Sequence, residues 1–351
     1  MSGCTDGLAD PALRVTGYGP RPVDEADPKH PERDRHGPRQ PAAGDRLGVR
    51  WGLAGGVALR SVHEVREVAD YSVAAGFDSL WISHANAVDP IVALAAVADA
   101  TTGLAEVGTS VVPLYGRHPI GLAQLARTAQ SALDGRFTLG IGAASRNAVA
   151  SSMGLAWERP LAYTRDFIDG LRPLLAGEPA SVEGDAVTTR AELNITAADT
   201  PILLAALGPK MLELAARRVD GTTLGQCGPR TIASYVAPTL HAAADAAGRP
   251  APRIMALIRL CVTDDPGPAY VLARETAARY RTVPSYERVQ DMEGLAEPAD
   301  LHLIGSWERV LDGLAEYARA GVTDFRLEVA APTVEDREAT RAALARHLRP
   351  T

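Results

Sequence analysis

Eight short apolar runs alternate with helix-like segments between residues 49 and 329, and this rhythm constrains the fold more than any other feature of the 351-residue chain. The runs lie at 49–54 (VRWGLA), 78–83 (DSLWIS), 106–112 (EVGTSVV), 136–141 (RFTLGI), 202–206 (ILLAA), 220–225 (DGTTLG), 254–263 (IMALIRLCVT) and 323–329 (TDFRLEV). Near-continuous apolar character marks strands covered on both faces, as parallel sheets require. Between them the spacing is helical. Leu122, Leu125, Ala126, Ala129 and Leu133 form one stripe, and Val310, Leu311, Leu314 and Ala318 form another. Pro119, Pro160 and Pro209 fall where a first-turn proline is tolerated, because an N–H there has no intrahelical partner.

Eight strand–helix units in about 300 residues is the arithmetic of an α/β (β/α)8 TIM barrel. A doubly wound sheet competes, but Gly140-Ile141-Gly142 runs on to Ser145, where the dinucleotide fingerprint needs a third glycine. Two connections exceed what a minimal barrel needs: roughly 143–200 after strand 4 and 283–304 after strand 7. Insertions at these points would sit at the C-terminal ends of strands, where barrels build active sites and lids.

Residues 1–46 read differently from the barrel domain, 47–351. From Pro20 to Arg46 there are six prolines, six Lys/Arg and six Asp/Glu, with Val23 as the sole sizeable aliphatic. Such a segment has too little apolar surface to offset its ordering entropy, so a disordered N-terminal extension is expected. The net charge of −7 argues against nucleic-acid binding. No run approaches the length of a membrane span, and the N-terminus lacks a signal-peptide core. Cys4, Cys227 and Cys261 stand far apart, which gives no disulfide framework and no zinc site; a cytoplasmic protein is expected. His63-Glu64 is followed by Glu67 where a zinc motif needs histidine, and Gly108–Val112 lacks the second glycine of a nucleophile elbow. With no metal cage and no nucleophile, chemistry by a bound organic cofactor is the remaining expectation.

Three stretches together resemble the luciferase-like monooxygenase family over roughly residues 48–330: Gly108-Thr109-Ser110-Val111-Val112-Pro113 with Arg117-His118-Pro119; Gly135–Gly142; and Ala205-Ala206-Leu207-Gly208-Pro209-Lys210-Met211 leading to Asp220-Gly221. The last stretch looks like the branch that uses the deazaflavin F420. The resemblance implies an F420-dependent oxidoreductase, with an FMN-dependent monooxygenase as the alternative. A barrel that binds a flavin-like ligand without catalysis is the rival of another class. A small-molecule or modified-peptide substrate and a homodimer are the expected partners, with no membrane or nucleic acid.

In similar proteins the cofactor phosphate lies at Ala206, Leu207, Gly208, Pro209, Lys210 and Met211. Free N–H groups at a helix start would face an anion there, although a plain turn has the same pattern. The resemblance also implies a non-proline cis peptide at Ser110-Val111, behind the cofactor ring. Gly140 and Gly142 lack Cβ atoms and so permit close approach, either of a flat ring or of a neighbouring strand. Ser145, Arg146 and Asn147 follow the strand end as ligand-binding or solvated loop residues. His84 ends strand 2, where related enzymes carry a proton-moving residue; its ordinary pKa near 6.5 suits that task, and hydrogen-bonding a loop is the bland alternative. Ser83 precedes it where some sugar-phosphate-oxidising members have an acid. His118 is read as a cap or as a wall of the cofactor site, Tyr286 and Arg288 as lining the substrate mouth, and Trp81 as core.

Overall fold

The computed structural model describes residues 46–280 and 283–349. Eight parallel strands close into a barrel: β1 Arg50–Ala54, β2 Ser79–Ile82, β3 Glu106–Thr109, β4 Phe137–Gly142, β5 Ile202–Ala205, β6 Gly221–Leu224, β7 Arg253–Val262 and β8 Asp324–Val329. Each pairs with the next in sequence, and β8 pairs back to β1 with Arg50 opposite Asp324. The expected α/β (β/α)8 TIM barrel is therefore the observed fold, with each strand within a residue or two of its expected place except β3. That strand stops at Thr109, and the Ser110–Val111 peptide is cis, as the resemblance implied. The chain resumes as Val112–Pro113, pairing with Ile141 and Gly142 of β4.

Where β3 breaks off, the Thr109 hydroxyl takes over the ladder, donating to the Gly140 carbonyl and accepting from the Gly140 N–H, both at 2.9 Å. A Cβ on Gly140 would lie 1.9 Å from the Thr109 carbonyl oxygen, so this glycine serves strand-to-strand approach. Gly142 leaves room for Val111, whose Cγ2 would be 3.0 Å from a Cβ there.

Successive strand side chains alternate between the helix-covered face and the barrel interior. Phe325 and Leu327 of β8 join the outer core, where Phe325 meets Trp51 edge-on at 5.2 Å. Asp324, Arg326 and Glu328 face inward, opposite Met255, Leu257 and Arg259 of β7. The interior is filled in layers, as barrels require. Trp81 occupies the middle with Leu203 and Met255, as a core residue. It fits because Gly108 and Gly52 lack side chains: a Cβ on either would fall within 3 Å of the indole. Its N–H donates to the Ser79 hydroxyl at 2.9 Å.

The helix starts follow local chemistry. Pro119, Pro160 and Pro209 each open a helix, and the His118 ring caps Pro119–Ala132 by accepting from the Ile120 N–H at 3.3 Å. One expectation on this helix fails. Leu125 is 37% exposed, while Ala123 is buried in its stead beside Leu122, Ala126 and Ala129. The two insertions also differ from plain long loops. Residues 143–200 contain the barrel helix Pro160–Ala176 and an antiparallel hairpin, Ala180–Glu183 with Thr188–Ala191. Residues 283–305 contain helix Pro284–Glu293 and a short strand, Leu303–Gly305, that pairs in parallel with the end of β7. Polar helix surface outside the barrel wall reads like loop in composition, so the elements inside these insertions leave little local signal.

Arg46 belongs to the folded body. Its guanidinium reaches Asp78 and the Leu348 carbonyl at 2.9 Å, and its carbonyl accepts from the Trp51 indole. The rest of the expected extension, 1–45, lies outside the described residues. Cys227 and Cys261 are free and buried. Among the described residues, no helix is long and apolar enough to cross a membrane.

Candidate active site

A cavity of about 270 Å³ opens at the C-terminal ends of the strands. Gly56 and Val57 after β1, Ser83 and His84 after β2, and the Ser110-Val111 pair after β3 form one side. Ala205, Thr223, Gly225 and Gln226 form the opposite side, with Leu257, Arg259, Arg326 and Glu328 on the β7–β8 floor. Tyr280 and Tyr286 cover it from the segment after β7, meeting edge-on at 5.2 Å.

Polar contacts converge on one backbone carbonyl. The Ser110 oxygen accepts from the Ser83 hydroxyl at 2.9 Å and from Arg326 Nη1 at 2.8 Å. The Ser110 hydroxyl lies 3.0 Å from that of Thr223, tying β3 to β6 across the barrel. Both hydroxyl groups can donate, and their mutual contact uses one proton, so the other remains free to turn to a ligand.

His84 is half-buried on this wall, and its pKa lies below the ordinary value. Loss of hydration is the largest cause, followed by the positive charge of Arg117, with Asp89 opposing them. Arg117 is itself paired to Asp89 at 2.9 Å. The imidazole is therefore neutral near pH 7, able to accept a proton at one nitrogen and donate a hydrogen bond from the other. Burial pushes the Tyr286 phenol up, so it stays protonated.

The structure brings His84, Ser110, Val111 and Tyr286 together on the cavity, as the sequence reading expects. It does not bring the others there. Arg288 is exposed, lies over the Tyr235 ring at 4.8 Å and does not line this cavity. Ser145, Arg146 and Asn147 engage neighbours on their own insertion: the Ser145 hydroxyl accepts from the Ala148 N–H, Arg146 stacks on Trp157, and Asn147 accepts from Ser151. Gly208 is the N-cap of helix Pro209–Arg218, with open space where a Cβ would be. Ala206 is buried beneath it, the Leu207 carbonyl accepts from the Tyr235 hydroxyl at 3.0 Å, Lys210 is exposed and Met211 packs on the core.

Arg259, Arg326, Thr223 and Leu257 escaped the sequence reading. For Arg326 a signal was present in β8: charges at every second position, Asp324, Arg326 and Glu328, in a strand that is otherwise apolar. Charged side chains on the inner face of a buried strand need an explanation, and a site is one.

A closed barrel whose polar, titratable cavity sits at the C-terminal ends of its strands has the layout of a barrel enzyme. Comparison with known proteins gives the family: residues 43–324 match the luciferase-like monooxygenases, and the chain belongs to that family. A coenzyme F420-dependent oxidoreductase of Mycobacterium tuberculosis, so described, is 28% identical over 309 residues, 82% of this chain and 85% of its own. The 5,10-methylenetetrahydromethanopterin reductase of Methanolobus tindarius is 34% identical over 171 residues, 47% of this chain and 52% of the reductase, so this match spans about half of either protein. Among solved structures, an F420-dependent secondary alcohol dehydrogenase bound to an F420–acetone adduct superposes with a TM-score of 0.70 at 20% identity, covering 84% of this chain and 98% of its own. The oxygenating component of the 3,6-diketocamphane monooxygenase of Pseudomonas putida, bound to FMN, has a TM-score of 0.67 at 19% identity, covering 85% and 96%. These two likenesses speak for the fold.

Proposed function

We propose that the protein is an F420-dependent oxidoreductase acting on a small organic substrate at the barrel mouth. The observation that carries the reading is the placement of a neutral, half-buried His84 on the same cavity as the Ser110–Val111 peptide. The relatives described as F420-dependent support the choice of cofactor.

The residues present fit a flat redox ring with an anionic tail. Ala54, Val111 and Ala205 keep one part of the cavity smooth, and the open space at Gly208 leaves room for a phosphate at the positive end of the Pro209–Arg218 helix. When bound, the deazaflavin would supply a two-electron hydride donor or acceptor. The chain itself handles the proton: as hydride leaves an alcohol carbon, His84 accepts the proton of its hydroxyl group and a carbonyl remains, or it returns a proton to the carbonyl oxygen in the reverse direction. Tyr280 and Tyr286 exclude water from the covered side. The reading does not route any step through Ser145–Asn147 or Arg288.

The test is direct. Purified protein is titrated with F420 and with FMN by fluorescence, and bound cofactor is then followed under anaerobic conditions with alcohols, enones and imines. F420 binding with oxygen-independent redox change supports the reading. Tight FMN binding with turnover that stops without oxygen replaces it by a monooxygenase, and binding of either cofactor with no redox change under any condition leaves a non-catalytic barrel.

A further inference from the structure

The mouth cavity contains two arginines, and only one has a counter-ion. Arg259 donates from Nε to a Glu328 carboxylate oxygen at 2.9 Å and from Nη2 to the Tyr280 hydroxyl at 3.2 Å. The charge of Glu328 is thereby used. Arg326 is 6% exposed and gives Nη1 to the Ser110 carbonyl, with the Ser83 hydroxyl at 3.5 Å. Its Nε is buried without a hydrogen-bond partner. Among the described residues, no carboxylate stands within ion-pair distance of its guanidinium.

A guanidinium does not escape this situation by losing its proton. Burial lowers its pKa only to about 10, with the more distant charge of Glu328 opposing the shift and Arg259 adding to it, so the group is charged at any physiological pH. Holding a buried cation without an anion is costly. The barrel is able to avoid that cost. Two residues earlier on the same inner face, Asp324 accepts from Arg253 at 2.8 Å. The cation left unmatched is the one that lines the cavity.

We infer that Arg326 is the anion-binding residue of the site, and that the substrate carries an oxyanion, a carboxylate or phosphate, seated on its guanidinium. The inference rests on the proposed oxidoreductase reading and deepens it by naming the substrate class. The hydroxyl proton left over in the Ser110–Thr223 pair adds a donor to the same pocket. Val111, Leu257 and the Tyr286 ring line the remaining wall, so the body attached to the anion is apolar or aromatic. With the anion held on β8 and His84 just after β2 on the same cavity, the reacting carbon lies between the two.

The same guanidinium chemistry would serve an oxygen of the cofactor, and the experiment separates the sources. The full chain without cofactor is titrated calorimetrically with benzoate and phenyl phosphate, using benzyl alcohol as a neutral counterpart. The expected result is binding of at least one anion to the wild type, at least tenfold tighter than benzyl alcohol. Arg326→Gln loses at least tenfold of the anion affinity with no loss for the neutral probe, and Arg326→Lys retains part of it. Wild type that binds neither anion, or no anion better than the alcohol, overturns the inference, and this arm needs no variant to fold. Equal anion binding by a folded Arg326→Gln also overturns it.

The second arm repeats the titration on protein saturated with F420. Simultaneous binding of anion and cofactor assigns the oxyanion to the substrate. Displacement of the anion, with Arg326→Gln weakening F420 tenfold, assigns Arg326 to the cofactor and removes the substrate-class inference. If F420 does not bind at all, the cofactor reading fails while the first arm still decides the anion site.

Discussion

At the N-terminal end of the barrel Arg253 lies between two carboxylates; at the C-terminal end Arg326, also on an inward-facing position, has none. The lower cluster is complete. Glu106 receives both Nη atoms of Arg253 at 2.8 Å, Asp324 receives Nη2 at 2.8 Å, Arg50 joins both acids, and Thr138 donates to Glu106 at 2.5 Å. Arg253 and Arg50 hold the Glu106 carboxyl down to about 2 against the opposing effect of burial. Above this cluster lies the Trp81 layer, with the Arg253 guanidinium 6.0 Å below the ring, and above that the cavity. This contrast separates where the fold puts stability from where it puts binding: both ends bury charge, and only the lower end pairs all of its arginines with acids from within the chain.

The largest expected effect comes from breaking the lower cluster. Glu106→Gln leaves the largely buried Arg253 and the partly exposed Arg50 with Asp324 alone and should cost about 3–5 kcal/mol of unfolding free energy. Arg326→Gln removes a buried cation that has no paired carboxylate and should leave stability equal or raised. Urea unfolding of the two variants checks this, and equal losses would erase the contrast between the ends.

Acid separates the ends next. His302, on the cavity side against Arg259, is buried, and that burial lowers its pKa to about 4. Unfolded, it binds a proton below about 6.5; folded, it resists one until about 4. Stability is thus lost as pH falls through this window, on the order of 3 kcal/mol at full effect. Glu106 behaves in the other window: its folded pKa is depressed, so its contribution is present above about 4.5 and lost as pH falls toward 2. Unfolding free energy measured against pH for His302→Gln should flatten between 6.5 and 4 and keep the steeper loss below. A variant curve parallel to wild type over the upper window removes His302 as its cause.

Catalysis comes third. His84→Ala should slow the proton-coupled step at least about a hundredfold, with F420 affinity changed no more than a few-fold. Because the His84 pKa is lowered, the rate assigned to its neutral form should hold at pH 7 and fall only below 6.5. Single-turnover rates across pH decide it, and an unchanged profile in the variant would move the proton to Tyr286 or water.

A smaller effect is expected at the second anion position. Gly208→Asp places a carboxylate at the start of the Pro209–Arg218 helix and should weaken F420 about tenfold, roughly 1.4 kcal/mol. Fluorescence titration that finds no change locates the phosphate elsewhere. Smallest of all, deleting residues 1–45 should leave the melting temperature and cofactor affinity nearly unchanged, because that composition offers no apolar face. Arg46 is retained in this test, since it is bonded to Asp78 and Leu348.

Much of this molecule is legible one segment at a time. Apolar runs of strand length between helical stripes define the barrel, and a proline after a cap such as His118 marks a helix start, because these signals depend on neighbours within a few residues. His84 was readable as a strand-end histidine for the same reason. The insertions were less so: a polar helix or hairpin outside the wall lacks the strong apolar stripe of a barrel helix.

What local sequence determined, then, is the order of strands and helices, the buried Trp81, and the position of His84 and Ser110-Val111 at strand ends. Which charges find partners was decided only by barrel closure. Glu106 meets Arg253 across 147 positions of chain, and Arg326 meets the Ser110 carbonyl across 216. No local pattern encodes those meetings, because they follow from the register in which β3, β7 and β8 come together around the axis. The same closure that sets Asp324 against Arg253 leaves Arg326 facing the cavity without an acid, since alternation gives β8 one inward charge per layer and each layer has its own neighbours.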